Sequence, residues 1–395
     1  MTRPEHRTKQ RGAAPLAKGG RAAFLCPGAN GKTGEKTMNI CIGILLCFAA
    51  LGLFDKALGG RLGVAAELDR GLAAMGGLSL SMTGIYCLII AAVGALEGGL
   101  SAVSRALPFD ASLLAGMLLA PDMGGWATAS QLAASEALAA YSGLLVASTL
   151  GCLVSFTLPI ALGSLENYQV TGFMQGVVWG LIALPAGLVA GGLALGLAPL
   201  ALAQNLWPVL VLCALLVLGL AKAPRLCLGA LAGFGEAVRV LGVLAFGAVA
   251  LGLFLPGLAI APQSLVAEAL IIVFKITVVV CGAMVATALL LARCGEAVRR
   301  VAGRLGVNEY AVLGLLASLV STVSMLPLYS RMDVRGKVMN AAVSVSGAFV
   351  LGGQMAFVSS VSDSRSVAAF FVCKILAGVL AAALALKFTK NKQPA

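Results

Sequence analysis

Residues 115–130 read Ala-Gly-Met-Leu-Leu-Ala-Pro-Asp-Met-Gly-Gly-Trp-Ala-Thr-Ala-Ser. An apolar run is broken there by Pro121, Asp122, Gly124 and Gly125. A helix cannot run undisturbed through that string, because proline lacks the amide hydrogen and clashes with the preceding turn. The chain around it is 60% hydrophobic and 11% charged, with a mean hydropathy of +0.99. In so apolar a protein, irregular backbone and a carboxylate at membrane depth are tolerated only where protein covers them or they line a wet cavity. The stretch therefore predicts a membrane transport site built on a broken helix.

Working outward, the whole chain reads as all-α and polytopic. The 11% of charged residues contrasts with about 25% in an ordinary soluble domain. Glycine is abundant, at 49 residues, and aromatics make up only 6%, which suits close-packed helices rather than a barrel with aromatic girdles. The ten cysteines include no Cys-x-x-Cys pair and no neighbouring histidine, so they read as small packing residues and no metal site is expected. The only histidine is His6, which leaves no Ser-His pair and no histidine proton relay in the membrane body. No cofactor is expected, and an enzyme is disfavoured.

A net charge of +12 would suggest nucleic acid in a soluble protein, but eight of the 28 basic residues fall within residues 1–37. The remainder carries 20 basic and 14 acidic residues, a net +6, spread mostly through loops where it reports topology. No nucleic-acid partner follows from it. Residues 1–37 read as a basic extension, disordered or not native to the mature protein. Gly31-Lys32-Thr33 mimics the end of a phosphate-binding loop, but Cys26 stands where the required glycine belongs. Gly34-Glu35-Lys36 can be encoded by a purine-rich run placed like a ribosome-binding site, so the natural start is expected at Met38.

From Met38 a single transmembrane domain is expected over residues 38–395. Nine apolar segments approach the ~20 residues needed to cross a bilayer: 39–54, 72–95, 141–163, 173–199, 205–221, 239–257, 265–292, 337–358 and 366–386. Two more, 110–139 and 309–330, are interrupted. Pro159, Pro185 and Pro208 mark kinks inside spans, and the Gly187-x-x-x-Gly191 and Gly192-x-x-x-Gly196 pairs mark close helix contact within the chain rather than a dimer seam. A homo-oligomer is left open by the sequence, and the lipid bilayer is the one partner the composition demands.

Basic residues decide whether the interrupted segments cross. If both did, the loop with Lys56, Arg61 and Arg70 and the loop with Lys222, Arg225 and Arg239 would lie on opposite faces, against the positive-inside rule. If instead 110–139 is re-entrant from outside and 309–330 from inside, 16 basic loop residues become cytoplasmic and two, Arg105 and Arg365, external. That parity predicts inverted repeats at about 72–163 and 265–358. Leu114-Ala115-Gly116-Met117-Leu118-Leu119-Ala120 is echoed by Val312-Leu313-Gly314-Leu315-Leu316-Ala317-Ser318. Inverted repeats with broken helices place a substrate near the midplane, at the repeat interface.

Asp122 leads the candidate ligands. It could hold a cation together with the carbonyls that end the first half-helix, or it could simply cap the second half-helix at Gly124-Gly125. Lys275 and Lys374 lie mid-span, where a lone charge costs about 2.5–3.5 kcal/mol on insertion scales. Glu268 is the expected partner of Lys275, and Asp122 that of Lys374 in the empty state. Trp126 offers a cation–π face. Ser321, Thr322 and Ser324 interrupt the second broken segment, and Gly352, Gly353 and Gln354 interrupt the next span, with neutral hydrogen-bonding groups suited to a small polar solute.

At these residues the chain resembles the ethanolamine permease family of bacterial ethanolamine-utilisation operons. The resemblance is carried by Ala73-Ala74-Met75-Gly76-Gly77-Leu78, by Leu118 through Gly125, by Tyr141-Ser142-Gly143-Leu144, by Pro159-Ile160-Ala161-Leu162-Gly163, and by Met332-Asp333-Val334-Arg335-Gly336-Lys337-Val338. It covers essentially everything from Met38 onward. It implies a secondary transporter of the bacterial inner membrane that takes up ethanolamine, largely protonated at neutral pH, which suits a carboxylate in the site. Two departures stand out. Gly353-Gln354 replaces an Asp-His pair of the family pattern, and Ser321-Thr322-Val323-Ser324 replaces Asn-Asn-Ile-Pro. A carrier of another small amine or alcohol, and an intramembrane enzyme, are the alternatives.

Overall fold

The computed structural model describes residues 40–95, 107–158, 160–161, 165–293 and 295–389. The extension 1–37, Met38, Arg105, Pro159, Leu162, Gly163, Lys390 and Lys392 lie outside these, as does the side chain of Ser324. Every regular element among the described residues is helical.

Helix α1 is Ile40–Ala57. Helix α2, Ala65–Leu78, runs through a widened π-type stretch, Ser79–Thr83, into α3, Gly84–Ala95. Asp55, at the end of α1, takes the backbone amides of Leu62, Val64 and Ala65 at 2.6, 2.9 and 3.0 Å and so fixes the turn into α2. Then come α4, Ser112–Leu118, and α5, Gly125–Leu132, the two halves of the first broken segment. Helix α6, Glu136–Ala140, continues through wide turns at Tyr141–Gly151 and Leu153–Thr157. Three long helices follow: α7, Asn167–Ala194, α8, Pro199–Lys222, and α9, Pro224–Phe254. Helix α10 is Gln263–Arg293 and α11 a short basic helix, Gly295–Leu305. The second broken segment is α12, Glu309–Val320, and α13, Thr322–Tyr329. The chain closes with α14, Val334–Ser346, α15, Gly353–Val361, and α16, Ser364–Phe388.

Six helices among the described residues are long and apolar enough to cross a membrane: 136–157, 168–194, 199–222, 236–254, 263–286 and 364–388. The 136–157 crossing is shielded almost completely by its neighbours, whereas 199–222 and 236–254 present mostly open apolar surface suited to lipid. Helix α7 is the packing spine. Gly176 and Gly180 lie so close to α14 that a methyl group would strike Ala341, Ala342 and Val345, and Gly187 meets Cys373 and Ala377 of α16. The Gly-x-x-x-Gly spacing thus serves contact within the chain, where small residues let backbones approach without side-chain overlap.

Both interrupted segments turn back on themselves. In the first, the amide of Ala134, just past α5, donates to Oδ2 of Asp110, just before α4, at 2.9 Å. In the second, Asn308, just before α12, donates to the carbonyl of Arg331 at 2.7 Å, and its amide donates to Asp333 at 2.9 Å. The two ends of each segment therefore lie together. The span expected at 337–358 is itself split by turns over Gly347–Gly352, so the interruption foreseen at Gly352-Gly353 starts earlier and is wider.

Candidate functional site

The tip of the first hairpin is fixed by local chemistry. Leu119 and Ala120 are extended, Pro121 starts a single tight turn with Asp122 and Met123, and Gly124 has φ +97°, a conformation that side chains with a Cβ rarely adopt. A Cβ on Gly125 would sit 2.7 Å from the carbonyl oxygens of both Leu119 and Ala120, so the reversal has room only for glycine. Breaking the helix strands the Ala120 amide, and Ser155 from the following crossing accepts it at 3.0 Å. Ser155 also donates to the Gly151 carbonyl at 2.8 Å.

Asp122 is half-buried beside this turn, and among the described residues its carboxylate forms no ion pair and no hydrogen bond with another residue. The cap of α5 is Gly124, without a side-chain hydrogen bond, so Asp122 does not serve as that cap. Desolvating a carboxylate without a partner is costly, so its place needs another account.

The second hairpin meets the first across a cavity of about 1100 Å³. Asp122 lines it with Cys152, Ser155 and Phe156 on one side, and Val320, Ser321, Phe349, Gly353 and Gln354 on the other. Its lining also includes three exposed charged residues, Arg70, Glu236 and Arg239, the last two forming an exposed ion pair. Phe349 has φ +60°, a strained conformation for a bulky side chain, and strained residues of that kind gather at ligand sites. Its ring meets Phe156 edge-on at 5.9 Å, while the amides of Phe349 and Leu351 donate to the carbonyls of Ser318 and Leu319 at 2.9 and 2.8 Å. The split span and the second hairpin are thus stitched by backbone bonds at the cavity wall.

Of the residues singled out in the sequence, Asp122, Ser321, Gly353 and Gln354 reach the cavity. Ser321 also caps α13, accepting the Val323 amide at 3.2 Å. Gly124 and Gly125 shape the turn from behind. Trp126 is half-buried against Gly143 rather than in the cavity lining. Thr322 is buried, its hydroxyl without a protein partner among the described residues.

Neither expected ion pair forms. Lys374 is 1% exposed and donates to the Ser148 carbonyl at 2.8 Å and to Oε1 of Gln354 at 2.6 Å, so its partner is a neutral amide rather than Asp122. Lys275 is exposed on α10, and Glu268 instead accepts from the Tyr86 hydroxyl at 3.2 Å. The two sit seven residues apart, two turns along one helix, beyond the i, i+4 neighbourhood where side chains meet. The sequence reading missed Phe349, Phe156 and Ser155. Nothing in the local sequence signalled that Ser155 would be needed by a distant amide.

Two broken helical hairpins meeting at a cavity, within a set of helices apolar enough to cross a membrane, are the build of a multi-pass membrane permease. The chain belongs to the family described as "Ethanolamine utilisation protein, EutH", which it matches over residues 38–388. It is 32% identical to the "Probable ethanolamine permease EutH" of Listeria monocytogenes over 348 residues, covering 88% of this chain and 93% of the relative. It is 30% identical to the protein of the same description in Salmonella typhimurium, covering 85% and 87%. A Bacillus subtilis relative, "Uncharacterized protein YxeR", is 31% identical, covering 88% and 93%. No solved structure matches the chain. A permease of the bacterial cytoplasmic membrane, rather than an enzyme, is what the family membership and the apolar helices establish together.

Proposed function

We propose that this permease carries ethanolamine, in its protonated form, through the cavity between the two hairpins, acting as a secondary transporter. The observation that carries the reading is the Asp122 carboxylate, lining the cavity without a cationic partner among the described residues. An ammonium group supplies the missing charge, and three N–H donors match a carboxylate's lone pairs. The descriptions of the Listeria and Salmonella relatives support the same substrate.

Residues 72–163 and 265–358 act as inverted repeats in this reading. In support, the echo of 114–120 in 312–318 is offset by 198 residues, and the same offset carries Asp110 to Asn308, the two residues that tie the hairpin ends. The part of the cavity lined by the exposed Arg70 and Arg239 faces the cytoplasm by the positive-inside rule. The carrier is therefore read as inward-open.

Purified protein in liposomes tests this with labelled ethanolamine at mildly acidic pH, where little neutral amine is present to leak through lipid. Saturable uptake is expected, and repeating it with and without a pH gradient separates uniport from proton coupling. Uptake no greater than in empty liposomes at any gradient overturns the reading. Saturable uptake of another small amine, with ethanolamine unable to compete, replaces it with the divergent-carrier alternative.

A further inference from the structure

Gln354 faces two ways. It lines the cavity, and its side-chain oxygen is taken by Lys374 at 2.6 Å. Lys374 itself is 1% exposed, is absent from the cavity lining, and donates a second time to the Ser148 carbonyl. An ammonium group has donors and no acceptor, so the atom that Gln354 turns toward Lys374 must be oxygen. The amide NH₂ is then directed away from the lysine, and its protein neighbour there is the thiol of Cys152, a weak acceptor that lines the same cavity. Lys374 thereby decides the polarity that Gln354 shows the cavity.

The same cavity thus carries an acceptor-only group, the Asp122 carboxylate, and a donor, the Gln354 NH₂, brought from different parts of the chain. A ligand satisfying both has a donor-only cationic end and an end with free lone pairs. A short amino alcohol has that pattern. An alkylamine leaves the Gln354 donors with no better acceptor than a thiol, and a diamine sets a second ammonium against them. A site whose buried polar group is left unpaired rejects the deficient analogue far more strongly than an apolar pocket rejects a missing methylene.

We propose that Gln354, held by Lys374 as a positioning residue, is the hydroxyl-recognition element that makes this permease select amino alcohols over alkylamines. This rests on the reading of Asp122 as the ammonium site. It also accounts for a buried lysine that forms no ion pair with a carboxylate among the described residues. A lysine retained at membrane depth for packing alone would be replaceable by an apolar side chain at little cost, whereas one that orients an amide would not.

The experiment is competition by ethanolamine and by ethylamine against labelled ethanolamine uptake in liposomes, giving the ratio of their apparent affinities. In the wild-type protein a preference for ethanolamine of roughly 10-fold or more is expected, the scale of one buried hydrogen bond. Gln354→Leu should bring the ratio toward one. Lys374→Met should do the same, because the freed amide can turn either face to the cavity. Gln354→Glu, still able to pair with Lys374, should instead raise the affinity for ethane-1,2-diamine relative to ethanolamine. A ratio near one in the wild-type protein overturns the inference while leaving the Asp122 site standing. So does a Lys374→Met protein that transports with the wild-type ratio. If Lys374→Met fails to fold, the two Gln354 variants decide, and a wild-type ratio in Gln354→Leu overturns the proposal. Loss of all saturable amine uptake in the wild-type protein overturns the function and this inference together.

Discussion

At the scale of single residues, Asp122 and Lys374 show how partner and position diverge. Asp122 was legible because a carboxylate followed by two glycines in an apolar run has few other uses, and the structure sets it on the cavity wall. Lys374 was legible as a charge in need of a partner, but which partner was not. The choice of Gln354 over Asp122 depends on where α15 and α16 cross, and their contact residues lie 20 positions apart in the chain. Asp122→Asn separates charge from shape, since it keeps the size and one hydrogen-bonding oxygen. Uptake of protonated ethanolamine should fall roughly 30-fold or more in apparent affinity, the scale expected when one member of a buried charge pair, worth about 2–5 kcal/mol, is lost. Expression and thermal stability in detergent should be kept, because Asp122 caps no helix. Saturable, near wild-type uptake by the asparagine protein would remove Asp122 from the site and leave Ser321 and Gln354 as the better ligands.

At the scale of elements, the two hairpins are held at their open ends by side chains and at their tips by backbone geometry. Asp110 takes the amides of Ser112 and Ala134, and Asn308 does the equivalent work in the second hairpin by reaching Arg331. The interruptions were readable from proline, glycine and serine, but not whether the chain crossed or returned. That was decided in the sequence only by counting lysines and arginines, an argument about the two sides of the membrane rather than about the segment itself. The hairpin arrangement predicts that both ends of 110–139 face one side. Cysteines replacing Pro108 and Glu136, both exposed, should each be labelled from outside the cell by an impermeant thiol reagent in a cysteine-free background. Labelling of one from outside and the other only from within would show a crossing segment.

At the scale of the whole molecule, the glycine faces of α7 draw α14 and α16 into a tight unit, and α9 and α10 complete the far wall of the cavity. The cavity lining includes the exposed Arg70, Glu236 and Arg239, and the positive-inside rule puts such basic residues in the cytoplasm, so access is expected from that side. A cysteine at Val243, which lines the cavity and is 42% exposed, tests this. Inside-out vesicles should be labelled rapidly and right-side-out vesicles slowly, and excess ethanolamine should slow labelling in the first case. Equal labelling from both sides, unaffected by ethanolamine, would mean that the space is a lipid-side crevice rather than a transport path.

The sequence by itself determined that this chain is an all-α membrane protein, where its helices break, and which carboxylate stands at the break. Those properties follow from local chemistry: hydropathy sets the solvent, and proline and glycine set what the backbone can do at a given point. Only the tertiary structure decided that Ser155 would satisfy the amide stranded at Ala120, that Phe349 would take a left-handed turn against Phe156, and that Lys374 would hold Gln354. Each of these joins groups from separate helices. In an apolar interior an unpaired polar group is costly, and which partner it finds is set by how the helices pack.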